Sequence, residues 1–191
     1  VLPNPSARQR TRNLGIELLL DAKGIFGENS MSMIDLMKRV CHVSDFEDKE
    51  ISDSLLETII KAAMPAPSTA DVQPWEIVAI RSKEQKEAVA STLLDSHLRS
   101  DSGGAKRRHW LAEAPLILVV CLDQIRARVR FGERGLRVFG IQDTGFAIQN
   151  IRLVALENGV KSCLLREFDA LSLAKTLELP GHVEPLILIA M

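Results

Sequence analysis

Tyrosine is absent from this chain of 191 residues, and aromatic residues make up only 4% of it. That sets aside an RNA-binding surface built on stacked aromatic side chains. An excess of charge of either sign is also missing, since 24 basic residues face 25 acidic ones for a formal net charge of −1. With no global field to draw in nucleic acid or an anionic membrane, small molecules and protein partners are the expected ligands. No apolar run approaches the ~18 residues that span a bilayer, and the N-terminus lacks the basic-then-apolar pattern of a signal peptide. Cysteine is scarce. Cys41, Cys121 and Cys163 are odd in number and sit at no metal-ligand spacing, which fits reduced thiols in a soluble, cytoplasmic protein without a bound metal. No glycine-rich loop follows a strand pattern, because Phe131-Gly132-Glu133-Arg134-Gly135 precedes a helix instead. A doubly wound nucleotide fold is therefore not expected. His42, His97, His109 and His182 have no Cys, Ser or Asp partner at a motif spacing, so no side-chain catalytic residue is predicted.

What is present is a chain 46% hydrophobic and long enough for one well-buried core. Residues 1–30, opening on a stretch rich in Pro, Asn, Ser and Arg, are expected to form an N-terminal extension, and residues 31–191 the folded domain. Helical periodicity runs through Met33, Leu36 and Met37, and again through Leu55, Leu56, Ile59 and Ile60 behind the caps Ser52 and Asp53. The prolines of Met64-Pro65-Ala66-Pro67-Ser68 force a loop. Trp75 to Ile80 alternates like a strand, and Ser82 opens a charged helix to about Leu98. Asp101-Ser102-Gly103-Gly104 reads as a loop. Pro115 to Leu122 has strand length, whereas Ile141 to Leu156 is apolar over too many turns for a strand and predicts a largely buried helix ended by Gly159. A strand at Ser162–Leu165, a helix over Asp169–Leu177 and a strand from Pro185 close the reading.

Ala66-Pro67-Ser68-Thr69-Ala70-Asp71-Val72-Gln73-Pro74-Trp75 closely resembles the Ala-Pro-Ser-x-x-Asn-x-Gln-Pro-Trp signature of the nitroreductase family. Gly132-Glu133-Arg134-Gly135, Ile141-Gln142-Asp143-Thr144, Ala147-Ile148-Gln149-Asn150, Phe168-Asp169 and Glu184-Pro185 resemble that family's second half, so the likeness runs from about Met33 to Met191. It implies an α+β fold, a mixed, largely antiparallel sheet flanked by helices, in a homodimer that holds FMN in two clefts at the subunit interface. The activity implied is that of a flavoprotein oxidoreductase passing hydride from NAD(P)H to a small acceptor such as a nitroaromatic or quinone, with the cofactor performing the chemistry.

By the same resemblance, FMN contacts fall to Pro67, Ser68, Thr69 and Asp71 in the signature loop, to Arg107 near the flavin ring, and to Leu165, Arg166 and Glu167 beside its N5. The phosphate falls to the basic stretch Lys38, Arg39 and His42, whose charges equally suit an ordinary helix end. The chain departs from the family at three places. The Arg-x-Ser-x-Arg/Lys phosphate element fits Lys38 to Phe46 in no register, Asp71 replaces an asparagine and loses its NH2 donors, and Glu167 replaces a glycine. The family also carries basic residues after the last strand that reach the phosphate, and these lie beyond Met191. These departures leave a second reading open, a nitroreductase-fold dimer with a decayed flavin site that serves as a binding or scaffold protein.

Overall fold

The run Ile117–Asp123 is apolar throughout because both of its faces are covered. In the computed structural model it forms strand β2, with Ile117–Cys121 wholly buried. The structure describes residues 32–39, 43, 45–94 and 103–191, the side chains of 103–107 excepted; His42 and residues 1–30 lie outside this range. β2 pairs antiparallel with β1 (Trp75–Ile80) on one side and β4 (Val183–Ala190) on the other, and β3 (Cys163–Leu165) adds to β4, giving the order β1-β2-β4-β3. The sheet is thus antiparallel at every described pairing. Its register shifts once, where Val120 faces Ile187 and Cys121 faces Pro185. The extra residue is Leu186, which turns to pack on Leu122, Ala127 and Leu136, and the bulge sits beside a proline that has no N–H to give the ladder.

Side chains of β2 alternate between two cores. Ile117, Val119 and Cys121 meet helices α3 (Lys83–Ser91), α4 (Gly103–Glu113) and α7 (Ala170–Thr176), while Leu118 and Val120, with Leu116 just before the strand, meet α2 (Asp53–Lys61) and α6 (Gly140–Glu157). Each fully buried aliphatic side chain gains roughly 1.5–3 kcal/mol from leaving water, so this strand is the main energetic anchor. Burial also pushes the Cys121 thiol up to about 12, with the charge of Glu76 adding to it, and leaves it an inert core group.

Caps set the helix starts as the sequence reading expects. Ser52 accepts from the Leu55 amide, Ser82 from Gln85, and Asp169 from Leu171 and Ser172. Gly159 follows α6 with φ +80°, the left-handed C-terminal stop. Three expectations are corrected. The helix from Ser82 ends at Ser91 rather than near Leu98, because Leu93 bridges to Phe168 and the Thr92 carbonyl accepts from the Asp169 amide. Gly103 and Gly104 open α4 instead of belonging to a loop. Finally, α6 is buried along one stripe only, and Ile141 and Phe146 lie 49% and 50% exposed in the single chain. Before α6 the chain passes through α5 (Gln124–Arg128), a short turn at Gly132–Arg134 and a π-helical turn at Gly135–Phe139. Gly135 is required there, since a Cβ would lie 2.2 Å from the Ala127 carbonyl oxygen.

Candidate functional site

The loop between α2 and β1 holds the most constrained backbone among the described residues. Ala70, Asp71 and Gln73 have φ of 56°, 55° and 43°, in the left-handed region that non-glycine residues avoid. Each such residue costs on the order of 1–3 kcal/mol and persists only where surrounding contacts impose it. Asp143, 5% exposed on the inner stripe of α6, accepts from the Thr69 amide at 2.8 Å and from the Thr69 hydroxyl at 3.3 Å. The Ser68 hydroxyl oxygen accepts from the Gln73 amide at 3.0 Å, and the Gln73 side chain donates to the Met64 carbonyl at 3.0 Å.

The far end of the loop is held by Arg126. Its guanidinium donates to the carbonyls of Gln73 and Trp75 at 2.8 and 3.3 Å, pairs with Asp123 at 2.7 Å and also binds Glu76. Asp123 in turn caps α5 by accepting from the Ile125 and Arg126 amides, and its own amide donates to the Pro74 carbonyl at 2.7 Å. Burial pushes the Asp123 carboxyl up, but the amide and guanidinium of Arg126, that residue's charge and the Ile125 amide outweigh it and hold the group below the usual carboxylate range.

Two consequences concern the residues expected to meet a ligand. The amide and hydroxyl of Thr69 are both spent on Asp143, whereas the Ser68 hydroxyl accepts within the loop and keeps its own hydrogen to donate. Pro67, Ser68, Thr69 and Asp71 are brought together, with Pro67 and Asp71 exposed. Leu165, Arg166 and Glu167 are not brought to them. β3 ends at Leu165 on the opposite edge of the sheet from β1, three interstrand steps or roughly 14 Å away across the strands. There Leu165 is buried and Arg166 and Glu167 are exposed. Glu167 does not have a positive φ, so replacing the expected glycine costs no left-handed strain; its carbonyl accepts from the Leu94 amide at 3.0 Å.

Lys38 ends helix α1 (Met33–Lys38), which packs against α6, and pairs on the surface with Asp35 at 3.1 Å. Arg39 is the next residue and is exposed. The backbone of Arg107 lies in α4, and its side chain is outside the described set; the neighbouring Arg108 donates to the Leu93 carbonyl at 3.4 Å. Sequence reasoning missed Asp143 and Arg126. The signal for Asp143 was a carboxylate four residues before Ala147 and eight before Ile151, on the buried stripe. Nothing local marks Arg126, whose carbonyl partners lie about fifty residues earlier.

An antiparallel sheet with helices on both faces, carrying at one edge a polar loop of left-handed residues buttressed by a buried carboxylate, defines an α+β domain. A model of the nitroreductase family matches residues 36–191, and the chain belongs to that family. It is 26% identical, over 69% of its length, to a proposed NADH dehydrogenase/NAD(P)H nitroreductase of Methanothermobacter thermautotrophicus, and 24% identical, over 75%, to a protein of Bacillus subtilis named FMN reductase (NAD(P)H). The matched regions span 59% and 58% of those relatives' own lengths. Among solved structures, a proposed nitroreductase of Desulfovibrio desulfuricans in complex with FMN superposes with a TM-score of 0.69, 23% identity and 86% coverage of each chain, which establishes the fold.

Proposed function

We propose that this protein is an FMN-dependent oxidoreductase that passes hydride from NAD(P)H to a small acceptor such as a nitroaromatic or quinone. The observation that carries the reading is the loop at Pro67–Trp75, fixed in advance by Asp143 and Arg126 and yet left with an unspent hydroxyl donor at Ser68. A flavin ring offers carbonyl acceptors and one ring N–H donor along its pyrimidine edge, which match the hydroxyl of Ser68 and the exposed acceptor-only carboxylate of Asp71. Arg166 brings positive charge from the other sheet edge, and it has no ion-pair partner among the described residues. Lys38 and Arg39 serve the phosphate; the surface pair of Lys38 with Asp35 is cheap to exchange, because exposed ion pairs are worth about 0–1 kcal/mol. When bound, FMN supplies hydride exchange at its N5. The residues of this chain bind and orient it, and a loop already ordered adds little conformational entropy cost to binding.

A homodimer is part of the same proposal. The signature loop and the Arg166 segment sit on opposite edges of one sheet, so a ligand touching both is reached most simply when each edge comes from a different copy. The half-exposed Ile141 and Phe146 of α6 and the exposed Met33 and Met37 of α1 give such a copy an apolar surface to cover. No helix among the described residues is long and apolar enough to cross a membrane.

The test is direct. Protein purified under native conditions should be yellow, with absorbance near ~450 nm as for bound flavins generally, and should elute at twice 21.1 kDa. A colourless protein that takes up no added FMN overturns the flavin proposal, and if it still elutes as a dimer it favours the scaffold reading.

A further inference from the structure

Residues 123–140 carry five arginines and two carboxylates within a chain of net charge −1. Three of the five are committed. Arg126 is turned onto the Gln73–Trp75 backbone, while Arg128 and Arg137 clamp Glu133 from two sides at 3.1 Å each. Arg130 and Arg134 have no carboxylate within ion-pair distance among the described residues. Arg134 lies instead over the Phe139 ring, 5.3 Å from its centroid, and that ring meets Phe131 edge-on at 5.3 Å. The two arginines are linked through one feature. Arg130, Phe131 and Phe139 line a small cavity whose other wall is Thr69, Val72 and Asp143. Uncompensated positive charge and a half-exposed aromatic ring are therefore placed at the rim of the same loop that the flavin reading uses.

We infer that Arg130 and Arg134 form an anion site for the 2′-phosphate of NADPH, and that the enzyme prefers NADPH to NADH. The inference rests on the oxidoreductase reading above and adds to it the choice of cosubstrate. A phosphate monoester carries about −1.5 to −2 charge and three terminal oxygens, which suits paired guanidinium forks better than either singly charged group of a pyrophosphate does. The contact with Phe139 holds Arg134 without neutralising it. Phe131, 48% exposed, offers a flat apolar surface to an adenine ring beside the phosphate. The cavity has a volume of about 10 Å³ and takes no more than one water, so the nucleotide lies across its mouth.

Two fragments of the cosubstrate separate this inference from the flavin reading, because their binding is measured by calorimetry whether or not the protein is yellow. Adenosine 2′,5′-bisphosphate should bind the full chain at least tenfold more tightly than adenosine 5′-monophosphate. Arg130→Gln and Arg134→Gln should each remove most of that difference, and because both side chains are exposed the variants should fold normally. With yellow protein, kcat/KM for NADPH should fall about tenfold in either variant while the value for NADH stays within about twofold. Equal binding of the two fragments, unchanged discrimination in the variants, or a parallel loss with both dinucleotides would overturn the assignment. Loss of colour alone would count against the flavin reading and leave the fragment measurement to decide this one.

Discussion

Strand β2 and the loop from Pro67 to Trp75 are both rigid, and they are rigid for opposite reasons. β2 is held by leaving water on two faces, a non-directional force proportional to apolar area. From Pro67 to Gln73 the loop buries little, and only its end at Pro74 and Trp75 enters the core. It is held by directional contacts from residues far along the chain, Asp143 on Thr69 and Arg126 on the carbonyls of Gln73 and Trp75. The comparison teaches that the site's shape and the fold's stability are stored in different places, so damage to one should spare the other.

The largest stability loss is expected from Leu118→Ala, which removes a side chain that is 0% exposed in the layer between β2 and α6. Unfolding in urea should show about 2–5 kcal/mol lost, with flavin affinity of the surviving folded fraction little changed. Asp143→Ala reverses that ratio. Leaving the Thr69 amide and hydroxyl without their acceptor should cost about 1–3 kcal/mol, but it also frees the loop, and flavin retention on a desalting column should fall by at least tenfold. If Asp143→Ala were to bind flavin normally, the loop would not owe its shape to that carboxylate.

Asp123 gives the comparison a pH axis. Its carboxyl is held below the ordinary carboxylate range in the folded protein, so its contribution to stability is fully present above a pH of about 4 and is lost as pH falls through the lower folded value. Asp123→Asn should therefore lower the midpoint of thermal unfolding at pH 7, by the equivalent of about 1–2 kcal/mol, and the gap from the native protein should close as the pH is taken from 5 to 3. A gap constant across that range would show that the carboxylate's charge contributes nothing. The smallest effect has the opposite sign. Ala70→Gly relieves a left-handed alanine at φ 56°, and because added freedom in the unfolded chain offsets part of the gain, the net stabilisation should be no more than about 1 kcal/mol by chemical denaturation.

Most of the fold was legible because its causes are local. Caps at Ser52, Ser82 and Asp169 are adjacent in sequence to the amides they satisfy, β2 announces itself by an unbroken apolar run, and Gly159 stops α6 with its own φ. The helix from Ser82 was read too long because its end is decided by Phe168 and Asp169, about 75 residues later. The signature loop was recognised as a motif, but the sequence does not say that Asp143 takes both the amide and the hydroxyl of Thr69. Likewise Arg126 was one of five arginines until the chain placed it under the Gln73–Trp75 backbone.

The amino-acid sequence by itself determined the elements, the doubly buried central strand and the family, since periodicity, capping and a signature loop need only neighbouring residues. Only the tertiary structure decided which hydroxyl of the loop stays free, which arginine clamps the backbone and which two are left without a carboxylate partner among the described residues. The physical reason is that hydrogen bonds and ion pairs are short-ranged and exclusive: a donor used once is gone, and which partner uses it depends on distances that the order of residues does not contain.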